Sequence, residues 1–131
     1  MQRNMQYTNF VGKIHTSSLF SDTDFSYSNF EKGYFKDTDF SFCKFFSARL
    51  AEANFRHCNF NYSDLTNADL SGTDLVNACF EYANLTNANL SDAHCENCDF
   101  KSAILNGTKF INTKFKNTNF ENSNTDDAIF K

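Results

Sequence analysis

Apolar residues recur at every fifth position along almost the whole chain. Of the 26 positions divisible by five, 22 are Phe or Leu, and the exceptions are Met5, His15, Cys95 and Thr125. This spacing scatters side chains around an α-helix, because five steps of about 100° leave each one roughly 140° from the last. It also alternates side chains between the two faces of a flat strand. The pattern therefore favours neither an amphipathic helix nor an ordinary strand.

The other positions of the five-residue unit have their own preferences. Two residues before each apolar centre, 23 of 26 residues are Ala, Ser, Thr or Cys, and the exceptions are Arg3, Lys13 and Gly33. The residue directly before the centre is Asn or Asp in 15 of 26 units, and the two residues after it are mostly polar. If the chain turns by the same angle after each unit, every large centre points at one axis beside a small residue. The polar pair then lies outside at each corner.

Such coils would stack at about 4.8 Å with parallel backbone pairing. The complete absence of proline fits this ladder, because proline has no N–H to donate. Repetition at a fixed short period is typical of a solenoid. We therefore expect the centres from residue 20 to residue 120 to be buried and the polar pair of each unit to be exposed.

Three consecutive or nearly consecutive units are especially regular: ADLSG at 68–72, ANLTN at 83–87 and ANLSD at 88–92. They resemble the A-(D/N)-L-x-x motif of the pentapeptide repeat family. The resemblance implies an all-β fold, a right-handed quadrilateral β-helix with four units and so 20 residues per coil. On that basis residues 1–131 form a single domain of about six to seven coils, a rod roughly 30 Å long.

The ends of the chain depart from the pattern. Lys13 and His15 occupy inward positions, so we expect residues 1–15 to form an irregular N-terminal coil or cap. Thr125 replaces a large centre near the other end. Terminal coils of a solenoid leave apolar side chains and backbone groups uncovered. We therefore expect either a monomer or an end-to-end homodimer.

Candidate catalytic chemistry is sparse. The stretch HCENC at 94–98 has the C-x-x-C spacing found in zinc and redox sites, but the register makes Cys95 a centre and Cys98 a small inward residue. We interpret both as core packing and expect only Cys79, among the five cysteines, to point outward. The sequence contains no phosphate-binding glycine loop and no paired nucleophile and base. We predict no catalytic, cofactor-binding or metal-ligating residues, and hence no enzyme.

Residues 20 apart would stack in outer columns, and one such column contains Phe42, Tyr62 and Tyr82. Two of the four columns of units, with centres at 20 to 120 and at 5 to 125 in steps of 20, hold nine acidic and three basic residues, a net charge of −6. The other two hold seven acidic and nine basic residues, a net charge of +2. We call the first pair of columns the acidic half. The candidate partner-binding residues, all in the acidic half, are Asp39, Phe42, Tyr62, Asp64, Glu81, Tyr82 and Asp99.

Two functional classes follow from these features. The first is a rigid interaction scaffold with an unidentified protein partner, which the modest formal net charge of −4 favours. The second is suggested by the resemblance: some pentapeptide repeat proteins protect DNA gyrase and topoisomerase IV from quinolones as acidic mimics of duplex DNA. An acidic half suits that alternative, because a DNA-binding groove is basic. No apolar run has the length of a signal peptide or a membrane span. We expect a cytoplasmic protein that binds neither nucleic acid nor a membrane directly.

Overall fold

The computed structural model describes residues 2–131, so Met1, the first residue of the expected cap, lies outside it. Within that range the regular structure is entirely β, and there is no helix long and apolar enough to cross a membrane. The strands are short: β1 (Arg3–Asn4), β2 (Thr23–Asp24), β3 (His94–Glu96), β4 (Lys109–Phe110), β5 (Lys114–Lys116) and β6 (Ile129–Phe130).

All strand pairs are parallel and join residues 20 apart. Strand β1 pairs with β2, β3 with β5 and β4 with β6. A further 19 isolated bridges, from Asn9↔Asn29 to Ile104↔Asn124, have the same offset. The chain therefore returns to the same line after 20 residues, which is four five-residue units. This finding confirms that the fold is a coiled β structure built on the five-residue period.

Hydrogen bonding explains why this unit repeats. In residues 58–62, Asn59 N donates to Thr38 O of the preceding coil at 3.1 Å, and Phe60 N donates to Cys79 O of the following coil at 2.7 Å. Tyr62 N also donates to the following coil, and Cys58 N donates to the carbonyl of the preceding centre. The remaining N–H, that of Asn61, donates to the side-chain oxygen of Asn59 at 2.8 Å. Every N–H of the unit thus has a partner, and the Asn or Asp before each centre supplies one of them.

Each unit ends in a tight turn whose third residue has a positive φ. All 25 such positions from residue 7 to residue 127 are left-handed: 22 are non-glycine residues, and the others are Gly12, Gly72 and Gly107. The turn is closed by a bond from the centre carbonyl to the N–H three residues later, as between Phe45 O and Ala48 N at 3.0 Å. Asn and Gly tolerate this conformation best, which accounts for the many Asn residues at the second polar position.

The core is a set of stacked apolar columns along the axis of the coil. Phe60, Phe80 and Phe100 lie one above another with ring centroids 5.0 Å apart, and their planes are nearly parallel. All centres from Phe25 to Phe110 are buried. Small inward residues with a hydroxyl or thiol group also stabilise the stack: Cys58 Sγ donates to Phe35 O at 2.9 Å, and Thr108 Oγ1 donates to Leu85 O at 2.8 Å.

Two parts of the burial prediction are wrong. Phe20 and Phe120 are only half-buried and Phe115 is 38% exposed, because each lies in a coil with a neighbour on one side only. The same cause leaves Lys13 exposed, although His15 does pack flat against Phe35 with centroids 5.8 Å apart. The polar pairs are also less exposed than expected. The first residue of most pairs is half-buried, because it lies over the sheet face between its stacked neighbours.

Candidate partner-binding surface

Three aromatic side chains form a continuous stack on the outside of the rod, which we call the aromatic ridge: Phe42, Tyr62 and Tyr82. The Phe42 and Tyr62 ring centroids are 4.9 Å apart at an interplanar angle of 1°, and those of Tyr62 and Tyr82 are 5.1 Å apart at 6°. The three residues are 56%, 52% and 51% exposed. The 20-residue offset therefore places these residues together as the sequence predicts. The ridge presents apolar ring surface to solvent.

The backbone of the aromatic ridge is in an unusual conformation for bulky residues. Phe42, Tyr62 and Tyr82 have φ values of 57°, 60° and 59°. A positive φ is uncommon for non-glycine residues and is an outlier for bulky side chains. Asn occupies the same turn position in many other units, including Asn67 and Asn77. The three rings therefore stand where a residue with less strain would close the turn equally well.

The four predicted carboxylates lie on the two sheet faces that meet at the ridge, and three of them also close turns. Asp39 Oδ1 accepts a hydrogen bond from Ser41 N, Asp64 Oδ1 from Thr66 N, and Asp99 Oδ1 from Lys101 N, at 2.9, 3.0 and 2.9 Å. This turn-closing role of the Asn or Asp position was not predicted from the sequence. Asp39 and Asp64 are engaged in separate turns, whereas Glu81 and Asp99 are close together.

Ion pairs are distributed unevenly around the rod. In residues 2–131 the ion pairs are Lys32–Glu52, Arg49–Glu31, Arg56–Asp74, His94–Glu96 and Lys116–Glu96. None of these residues belongs to the acidic half. Within the described residues, the carboxylates beside the aromatic ridge thus have no ion-pair partner. Their negative charge remains available to a ligand or a partner.

Cys79, Glu81 and Asp99 form a cluster beside the ridge that the sequence analysis did not predict. The Cys79 Sγ and one carboxylate oxygen each from Glu81 and Asp99 all lie within 4.8 Å of one another, and all three residues are half-buried. A hydrogen bond with Asp99, together with its charge, raises the pKa of Glu81 above its ordinary value. Burial, and then the Asp99 and Glu81 charges, raise the pKa of the Cys79 thiol. The 20-residue offset between residues 79 and 99 was the sequence signal that could have identified this cluster.

The C-x-x-C cysteines lie in the core, as their register predicts. Cys95 is 0% and Cys98 is 1% exposed, and the Cys98 Sγ donates to Leu75 O at 2.9 Å. Burial, followed by hydrogen bonding to Cys95, raises the pKa of the Cys98 thiol. These two cysteines therefore belong to the packing of the solenoid. No surface cleft or internal pocket occurs in residues 2–131.

Solved structures with similar folds are repeat proteins. A trypsin-treated variant of QnrB1, a plasmid-mediated fluoroquinolone resistance protein, is 22% identical with a TM-score of 0.63, over 96% of this chain and 69% of that chain. The pentapeptide repeat protein Rfr23 from the cyanobacterium Cyanothece 51142 is 19% identical with a TM-score of 0.57, over 98% of this chain and 92% of that chain. At these identities the similarity shows the fold alone. No curated protein matches the sequence.

The repeat can also be assigned by its sequence profile. The profile described as pentapeptide repeats matches residues 48–87 and 83–124, with eight copies. These ranges cover more than half of the chain and include the three regular units at 68–72, 83–87 and 88–92. The chain belongs to the pentapeptide repeat family.

Proposed function

We propose that the protein is a non-enzymatic scaffold that binds a protein partner through the aromatic ridge and the carboxylates beside it. The observation that carries this proposal is the stack of three rings, each about half exposed. Exposed aromatic residues within a polar surround are the usual anchors of a protein interface. The strained turn conformation at all three positions supports a role other than turn closure.

The partner should be basic where it meets the ridge. The acidic half holds nine acidic and three basic residues, and none of its carboxylates has an ion-pair partner among residues 2–131. A second copy of the same surface would bring like charges together, which disfavours association of two chains ridge to ridge. Charge complementarity therefore favours a different protein with a basic surface.

The finer architecture belongs to the same proposal. The scaffold is a right-handed quadrilateral β-helix of about six to seven coils, in which residues 1–131 are one domain and residues 1–15 serve as an N-terminal cap. The 20-residue pairing offset supports four units per coil. We propose a cytoplasmic monomer or end-to-end homodimer that binds neither nucleic acid nor a membrane directly.

Replacing two ridge tyrosines should weaken partner binding strongly. In Tyr62→Asn with Tyr82→Asn, the turn conformation is retained because Asn is common at this position, while the ring surface is lost. Loss of interface anchors costs at least about 2 kcal/mol, or roughly 30-fold in affinity. The measurement is capture of partners from the source cell with the wild-type protein, followed by titration of each purified partner with both proteins.

The matched control changes the other side of the rod. Lys114→Ala with Lys116→Ala removes two exposed charges outside the acidic half and should leave the affinity nearly unchanged. If the lysine variant weakens binding and the tyrosine variant does not, the proposed surface is wrong.

The alternative function is protection of DNA gyrase or topoisomerase IV from quinolones by DNA mimicry. The unpaired negative charge of the acidic half supports it, since such a rod would fit a basic DNA-binding groove. The wild-type protein would then relieve quinolone inhibition in a gyrase supercoiling assay, and the Tyr62→Asn, Tyr82→Asn variant would relieve it less. If the wild-type protein has no effect with either enzyme, this alternative is wrong.

A further inference from the structure

We propose that Cys79, Glu81 and Asp99 form a binding site for a divalent transition-metal ion of the zinc class. The site goes beyond the proposed partner-binding role and does not depend on it. Its donors are one thiolate sulfur and two carboxylate oxygens, with a coordination position open to solvent.

The repeat geometry brings these three donors together. Cys79 and Asp99 are bridge partners in adjacent coils, and Phe80 N between the donors donates to Asp99 O at 2.7 Å. Glu81 lies two residues after Cys79 in the same coil, so its side chain leaves the same sheet face. The donor atoms already lie within 4.8 Å of one another, and small side-chain rotations would place all three around one ion. Both coils are fixed by the backbone ladder, so the site is largely formed in advance.

Cys79 stands apart from the other cysteines of this protein. Cys43, Cys58 and Cys98 each donate a hydrogen bond from Sγ to a backbone carbonyl at 2.9 Å, so their thiols serve the core. Cys79 occupies the position before the centre, where an Asn or Asp normally accepts a hydrogen bond from the N–H two residues later. The N–H of Glu81 instead donates to Asn61 Oδ1 of the preceding coil at 2.8 Å. The Cys79 thiol is thereby released from turn closure and directed to the carboxylates.

The carboxylate ligand from Asp99 is held by groups outside the cluster. Its Oδ1 accepts hydrogen bonds from Lys101 N at 2.9 Å and from Asn119 Nδ2 at 3.3 Å. These bonds orient the carboxylate and leave its other oxygen free to coordinate. Ligating carboxylates in metal sites are supported by outer hydrogen bonds in the same way.

The charges of the cluster favour a bound cation. Asp99 raises the pKa of Glu81, and the Cys79 pKa is raised by burial and by both carboxylates, because three acidic groups repel one another. A divalent ion replaces that repulsion with attraction, and the thiol proton passes to solvent when the metal binds. Sulfur together with carboxylate oxygen suits Zn²⁺ or Co²⁺, whereas Mg²⁺ and Ca²⁺ prefer ligand sets composed of oxygen.

Zinc binding to the purified protein tests the proposal. We expect one Zn²⁺ per chain, measured by competition with a chromophoric chelator, and a sulfur-to-metal charge-transfer band when Co²⁺ is the probe. Cys79→Ser, Glu81→Gln and Asp99→Asn should each weaken Zn²⁺ binding by about tenfold or more. Cys79→Ser should also abolish the Co²⁺ charge-transfer band. The amide at position 99 keeps an acceptor for Lys101 N, so the fold should remain intact, as circular dichroism would verify.

Two control variants make the result specific. Cys98→Ser changes the C-x-x-C pair in the core, and Asp39→Asn changes an equivalent turn carboxylate elsewhere in the acidic half. Both should bind Zn²⁺ like the wild type. The proposal is overturned if the wild-type protein does not bind Zn²⁺, if Cys79→Ser binds it unchanged, or if Cys98→Ser abolishes binding.

Discussion

Phe80→Asp is expected to unfold the rod or to lower its free energy of unfolding by at least about 4 kcal/mol. The Phe80 ring is 0% exposed and lies between the rings of Phe60 and Phe100, with centroids 5.0 Å away on each side. Removing the ring forfeits both stacking contacts, and the carboxylate replacing it has no partner on the axis. Leu70→Lys, at another centre that is 0% exposed, should have a comparable effect for the same reason. Thermal and urea unfolding followed by circular dichroism measure the loss.

The same chemical change on the outside of the rod is the control. Phe42→Asp lies on the aromatic ridge, where the side chain is 56% exposed and Asp tolerates the positive φ. We expect its stability to stay within about 1 kcal/mol of the wild type. If Phe80→Asp and Phe42→Asp melted alike, the assignment of the centres to the core would be wrong.

Gly33→Ala is expected to destabilise the protein by about 1–3 kcal/mol. Alanine is common at this inward position in other units, and Gly→Ala at an unstrained site normally stabilises a protein by roughly 0.4–1 kcal/mol. At residue 33, however, an added Cβ would overlap the Phe35 ring and lie 3.1 Å from Phe30 O. The Phe35 ring cannot move away freely, because it stacks between His15 and Phe55. Urea unfolding of the variant gives the sign of the effect directly.

A double-mutant cycle separates this overlap from a general backbone effect. Phe35→Leu removes the ring atoms that meet the added Cβ and supplies the residue found one column position away at Leu75. In that background Gly33→Ala should cost much less than in the wild type, so the two changes should be strongly non-additive. An increase in stability for Gly33→Ala alone would show that the ring moves without cost.

The period of five determined most of the fold at the level of the sequence. It identifies the buried centres from Phe25 to Phe110, because only a coil can direct such a pattern to one axis. It also assigns Cys95 and Cys98 to the core despite their metal-like spacing. The aromatic ridge followed from the 20-residue offset alone, since that offset turns a one-dimensional list into stacked columns.

Other features depended on contacts that a period does not contain. The need for glycine at residue 33 arises from the orientation of one ring, and the exposure of Phe115 arises from a missing neighbouring coil. The Cys79, Glu81 and Asp99 cluster requires two side chains to extend along the sheet face toward a third in the next coil. Asn61 replaces the usual turn acceptor at the same place, and this substitution between coils has no signature within a single unit.

The 20-residue pairing offset also governs how such a protein can change in length. Insertion or loss of a single five-residue unit would keep every centre on the axis, but it would move all later outer residues to the next column. Such an event upstream of residue 62 but downstream of residue 42 would separate Phe42 from Tyr62 and Tyr82 while leaving the core pattern intact. Only a change of four units preserves the outer columns. Surfaces that span several coils, such as the ridge, are therefore compatible with growth by whole coils, whereas smaller steps preserve the fold and reshuffle its surface.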